Sequence, residues 1–110
     1  METARRHPRA NVTFGVDVVS YSAGVSQRDE ARLIVLSSGG AFLELDGDYA
    51  VGSILKLGFT LPSTTEAITG LAIVRDRLTG SGVGVEFLDL EPRDRERITA
   101  FVNRHLSADR

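Results

Sequence analysis

The sequence predicts a small all-β domain, a barrel or sandwich of antiparallel strands, followed by one C-terminal helix. Three observations carry this reading. Apolar residues recur at every second position through most of the chain, turn-forming residues separate those runs, and a helical period appears only after Asp89. Several short antiparallel strands with one apolar face, and only one helix, imply a small barrel or sandwich rather than an α/β layer. At 110 residues the chain accommodates one domain with its own core rather than two.

Each element follows from its own pattern. Val12, Phe14, Val16 and Val18 fall on one face of a first strand, with Thr13, Gly15 and Asp17 on the other. Ser22 to Asp29 is polar, contains Gly24 and reads as a loop. The apolar run Arg32 to Leu36 is a second strand, broken at Ser37-Ser38-Gly39-Gly40 and resumed as a third from Ala41 to Leu45, with Ala41, Leu43 and Leu45 on one face. Asp46-Gly47 is a tight-turn signal.

In the fourth strand, Ser53 to Leu61, Leu55, Leu57, Phe59 and Leu61 alternate with Ile54, Lys56, Gly58 and Thr60; Pro62 to Thr65 closes it. A fifth extended segment runs from Ala67 to Leu78, and Gly70 within it is a candidate bulge or bend. Thr79 to Gly82 makes a turn into a last strand with Val83, Val85 and Phe87 inward. Ile98, Phe101, Val102 and either His105 or Leu106 then share one face of a helix from about 92 to 106, with Arg93, Arg95, Glu96 and Arg104 outside it. Pro92 suits its first position, and Asp94 and Glu96 lie near the positive end of its dipole. The helix is expected to cover an end or a face of the sheet.

Composition narrows the function. Thirteen Lys and Arg against fifteen Asp and Glu give a net charge of -2, so the whole molecule has no electrostatic footprint for nucleic acid or anionic lipid, and anion binding must be local. There are no cysteines, which excludes disulfides, thiolate metal sites and Cys nucleophiles. Neither an apolar leader at Met1 to Asn11 nor a run long enough to span a bilayer occurs, so a cytoplasmic protein with no membrane insertion is expected. Lys56 is the only lysine; every other basic residue bar the histidines is arginine, whose planar fork suits phosphates and base edges.

Two segments stand out as candidate binding elements. In the N-terminal tail, residues 1–11, Arg5 and Arg9 stand four apart with Arg6 between them, and Pro8 keeps that stretch extended. Two arginine forks brought together could take phosphate oxygens and guanine edges; a solvated basic tail is the competing reading. Ser37 to Gly40 offers two hydroxyls and a backbone that a ligand can approach closely, but also suits an ordinary Gly-Gly hairpin turn.

Taken together, Arg5-Arg6-His7-Pro8-Arg9 ahead of a first strand, Leu36-Ser37-x-x-Gly40-Ala41 between the second and third, Gly82-Val83-Gly84-Val85-Glu86-Phe87-Leu88 as the last strand and a charged helix from Pro92 resemble a PilZ domain over nearly the whole chain. The resemblance implies a six-stranded antiparallel β-barrel at 12–110 behind a flexible Arg-rich tail, and a receptor for cyclic di-GMP that signals through a protein partner, with no cofactor. Carried over, Arg5 and Arg9 bind phosphate and guanine, Ser37 and Gly40 form the opposing turn, and Arg6, Val35, Ser38 and Gly39 stand beside them. The departure is Val35, where the family has Asp or Asn. Loss of one hydrogen bond there costs about 0.5 to 3 kcal/mol, roughly a three- to 150-fold fall in affinity. A degenerate module acting by protein contacts alone is the alternative that Val35 suggests.

Enzymatic and metal-binding readings have little to stand on. The only histidines, His7 and His105, lie in the tail and near the helix end without an evident partner, His105 suiting half-buried packing or a C-terminal charge. Gly80-x-Gly82-x-Gly84 leads into a strand and not a helix, so it is turn chemistry and not a phosphate loop. Asp46-Gly47-Asp48 lacks the later ligands of a calcium loop. Nonspecific nucleic-acid binding through the tail is opposed by the acidic remainder.

Overall fold

In a computed structural model of the chain, residues 9–108 are described apart from 23, 46–48, 63, 66 and 79–80. Arg5, Arg6 and His7, the Asp46-Gly47 turn, Thr79 and Gly80, and the side chain of Leu106 lie outside the described residues. Six strands, β1 (Ala10–Ser22), β2 (Val25–Leu36), β3 (Gly40–Glu44), β4 (Ile54–Thr60), β5 (Ala67–Leu78) and β6 (Gly82–Asp89), precede helix α1 (Pro92–Ala108). They close into a barrel in the order β1-β2-β3-β6-β5-β4, with every pairing antiparallel. Closure leaves no open sheet edge to protect.

The alternating apolar positions form the interior. Val18, Leu33, Leu36, Leu43, Leu55, Ala72 and Val74 are wholly buried, and Val16, Leu57, Ile68, Val83 and Val85 complete the same cluster. From the helix, Ile98, Phe101 and Val102 join it, with the Phe101 ring edge-on to Phe14 at 6.5 Å between centroids. His105 is half-buried beside Phe101, 5.6 Å between ring centroids. Among the described residues, no helix is long and apolar enough to cross a membrane.

Three expectations are corrected. β1 begins at Ala10, two residues before the expected Val12, because Ala10 is buried opposite Leu36. The expected loop from Ser22 to Asp29 is largely strand, for β2 starts at Val25 and Ser22 pairs with it directly. That reversal uses Gly24 at φ 80°, a left-handed conformation that favours glycine. Ser26, Gln27 and Arg28 are exposed, so this part of β2 is held by pairing with β1 and shows no apolar alternation. Gly70 is not itself the bulge: its pairing with Leu57 is regular, and the register shift against β6 falls between Leu71 and Ala72. Glycine is needed there because a Cβ would come within 2.6 Å of the Asp89 carbonyl oxygen.

Candidate functional site

The site is built by two irregularities in the ladder. Leu33 pairs with Leu43 and Val35 with Phe42, so β2 carries one extra residue, Ile34, against β3. Likewise Val74 pairs with Val85 and Asp76 with Gly84, so Arg75 is an extra residue in β5 against β6. Without such bulges residues two apart share a face; with them, Leu33 and Val74 are buried while Val35 and Asp76 turn to the outer surface. The result is a continuous outer row across four strands, Val35, Phe42, Gly84 and Asp76.

A groove of about 790 Å³ follows this row. Phe42 is half-buried at its centre, an aromatic ring facing away from the core. Gly84 leaves the neighbouring space empty: a Cβ there would lie 3.5 Å from Asp76 Cβ and 3.8 Å from Phe42 Cδ1, at ordinary contact distance. The lining carries four arginines, Arg9, Arg75, Arg77 and Arg95, against the carboxylates of Asp76 and Glu86. Two other hollows, of about 620 and 400 Å³, carry more carboxylates than cations. Of these three hollows among the described residues, the groove is the one suited to an anion.

One wall of the groove is the Ser37 to Gly40 turn. The Ser37 hydroxyl accepts hydrogen bonds from the Gly39 and Gly40 amides at 3.2 and 3.1 Å and donates to the Gly40 carbonyl at 3.3 Å. The Ser37 amide donates to the same carbonyl at 2.9 Å. One donor and two acceptor positions are all a hydroxyl has, so Ser37, which is buried, spends its hydrogen bonds shaping the turn. Gly40 has no positive φ; it is required for space, since a Cβ would meet the Val85 carbonyl oxygen at 2.2 Å as β3 joins β6. The turn is tied down by the Phe87 amide, which donates to the Gly39 carbonyl at 2.9 Å.

Arg95 adds a link from the helix. Expected on the outer face of α1, it is half-buried, lines the groove and donates from Nη1 to the Ser38 carbonyl at 2.6 Å. The groove thus gathers Arg9, Val35, Ser37, Gly39 and Gly40, five of the residues expected from sequence, while Ser38 meets Arg95 through its backbone. Phe42, Asp76, Arg77 and Arg95 were not singled out. An aromatic at an outward position of β3 was the one available signal, for Phe42 lies out of phase with Ala41 and Leu43. Among the described residues, no group of three His, Asp or Glu side chains could hold a metal ion.

A closed six-stranded barrel with a helix behind it and a cationic groove over an arginine-flanked turn defines a binding domain. The profile of the PilZ domain family matches residues 3–104, and the chain belongs to that family of cyclic di-GMP receptors, whose domains are binding modules rather than enzymes. No curated protein sequence matches the chain significantly. Among solved structures, that of the Bacillus subtilis inhibitor of motility (MotI/DgrA) is similar in fold, with a TM-score of 0.79 at 20% identity over 99% of this chain. The chain spans 54% of that protein's length.

Proposed function

We propose that the chain is a non-enzymatic receptor that binds cyclic di-GMP in the outer groove and signals through a protein partner. The observation that carries this is the meeting of Arg9 with the Ser37 to Gly40 turn in one groove with a surplus of arginine. Phosphates face the arginines, and the bases lie over the apolar floor at Phe42. Arg5, the other half of the expected arginine pair, supplies a second fork for the phosphates and guanines. The hydrogen bond from Arg95 to Ser38 gives the turn a mechanical connection to α1, by which ligation alters the surface offered to a partner.

Calorimetry with cyclic di-GMP at low ionic strength and high micromolar protein tests the reading, with measurable heat that declines as salt is raised as the expected result. Arg9→Ala removes a charge-assisted contact and weakens binding about ten- to 150-fold. Val35→Asp, which places an acceptor on the groove wall, strengthens it. Absence of heat with wild type, or undiminished binding by Arg9→Ala, overturns the proposal.

A further inference from the structure

Val35 cannot accept a hydrogen bond, yet a guanine base displays two adjacent donors, N1–H and the N2 amino group, that need acceptors when they leave water. The groove supplies a carboxylate from the opposite side. Asp76 lies beyond Phe42 and Gly84 in the same outer row, and the bulge at Arg75 is what turns it outward instead of into the core. Gly84 keeps the way open between the Phe42 ring and Asp76, since any side chain there would touch both.

The other carboxylate in the groove is already engaged. Glu86 Oε1 accepts from Arg75 Nε at 2.7 Å, whereas Asp76 makes no hydrogen bond or ion pair among the described residues. A carboxylate offers two oxygens side by side, which matches the two guanine donors; adenine presents a ring nitrogen acceptor at the equivalent position, which a carboxylate repels.

We propose that Asp76 reads the Watson–Crick edge of a guanine stacked on Phe42 and so sets the base specificity of the groove in place of the acceptor missing at Val35. This rests on the groove being the cyclic di-GMP site. Base recognition has moved from the β2 wall to the β5 wall, and the two bulges that flank Phe42 decide which residues face the base.

The test compares cyclic di-GMP and cyclic di-AMP by calorimetry on wild type, Asp76→Ala and Glu86→Gln, with melting curves to verify folding. Wild type is expected to prefer the guanine ligand. Asp76→Ala should lower cyclic di-GMP affinity about ten- to 150-fold, the loss of a charged hydrogen bond, without weakening cyclic di-AMP, so that the ratio of affinities collapses. A purely structural role would weaken both ligands alike and leave the ratio intact, which overturns the proposal. So does a ratio that falls in Glu86→Gln but not in Asp76→Ala, or a wild type indifferent to the base. If wild type binds cyclic di-GMP and Asp76→Ala keeps its preference, only the role of Asp76 falls; if wild type binds no cyclic di-GMP, the assignment of the groove falls with it.

Discussion

Phe42 and Leu43 are neighbours on β3, yet they belong to two different regions of the molecule. Leu43 looks inward, wholly buried in a row with Leu33 and Val83. Phe42 looks outward in a row with Val35, Gly84 and Asp76. The inner row is made entirely of aliphatic side chains, as a packed interior allows. The outer row exists only because two bulges break alternation, and it combines an aromatic, a glycine and a carboxylate. At the groove, bulges re-aim side chains outward while their neighbours Leu33 and Val74 stay packed inside.

Substitutions on the two faces of β3 test their independence, and the largest effect belongs to the interior. Leu43→Ala should destabilise the fold by about 2–5 kcal/mol in denaturant titration, through lost burial and a cavity among Leu33, Val83 and their neighbours. The molecules that remain folded should keep their ligand affinity; a selective loss of binding would show that the two faces of β3 are not separable.

Remote from the groove, alkaline pH provides the next effect. Tyr49 is buried and donates a hydrogen bond to Asp29 on β2. Burial first, and then the Asp29 carboxylate, push its phenol up from 10.0 to about 12. A raised folded-state pKa stabilises the fold fully below pH 10, and that contribution is lost as pH climbs toward 12. Wild type should therefore lose about 2–3 kcal/mol over that window relative to Tyr49→Phe, and parallel pH profiles for the two proteins would refute this.

On the outer face, Phe42→Ala should weaken cyclic di-GMP binding by about 1–3 kcal/mol, the loss of one stacking platform, with a smaller change in melting temperature. A variant that melted as badly as Leu43→Ala but bound normally would make Phe42 a packing residue and dissolve the distinction between the rows. The smallest effect is expected from Arg32→Ala. It removes an exposed pair with Glu44, N to O 3.6 Å, outside the groove. Stability should change by about 0–1 kcal/mol and affinity by nothing measurable.

The interior was legible because burial writes itself into composition. Val16, Val18, Leu55, Leu57 and Phe59 alternate with polar or small residues, and Ile98, Phe101 and Val102 recur at helical spacing. The Ser37 to Gly40 turn was legible for a related reason, since its chemistry lies within four consecutive residues. The start of β2 was not: Ser26 to Arg28 are exposed and carry no apolar signature, so only pairing with β1 makes them a strand. Arg95 was read as a solvated helix position because nothing local indicates that the Ser38 carbonyl waits 57 residues earlier.

Six strands in chain order, the inward faces of β1, β3, β4 and β6, the C-terminal helix and the family to which the chain belongs were all readable in the sequence. These depend on periodicity and short motifs, which are local. Tertiary structure alone decided that Val35 and Asp76 face the same groove, that Gly40 is required by the approach of β6, and that Arg95 holds the turn. Each depends on the register between strands distant in the chain, and a bulge of one residue reverses the face of everything beyond it.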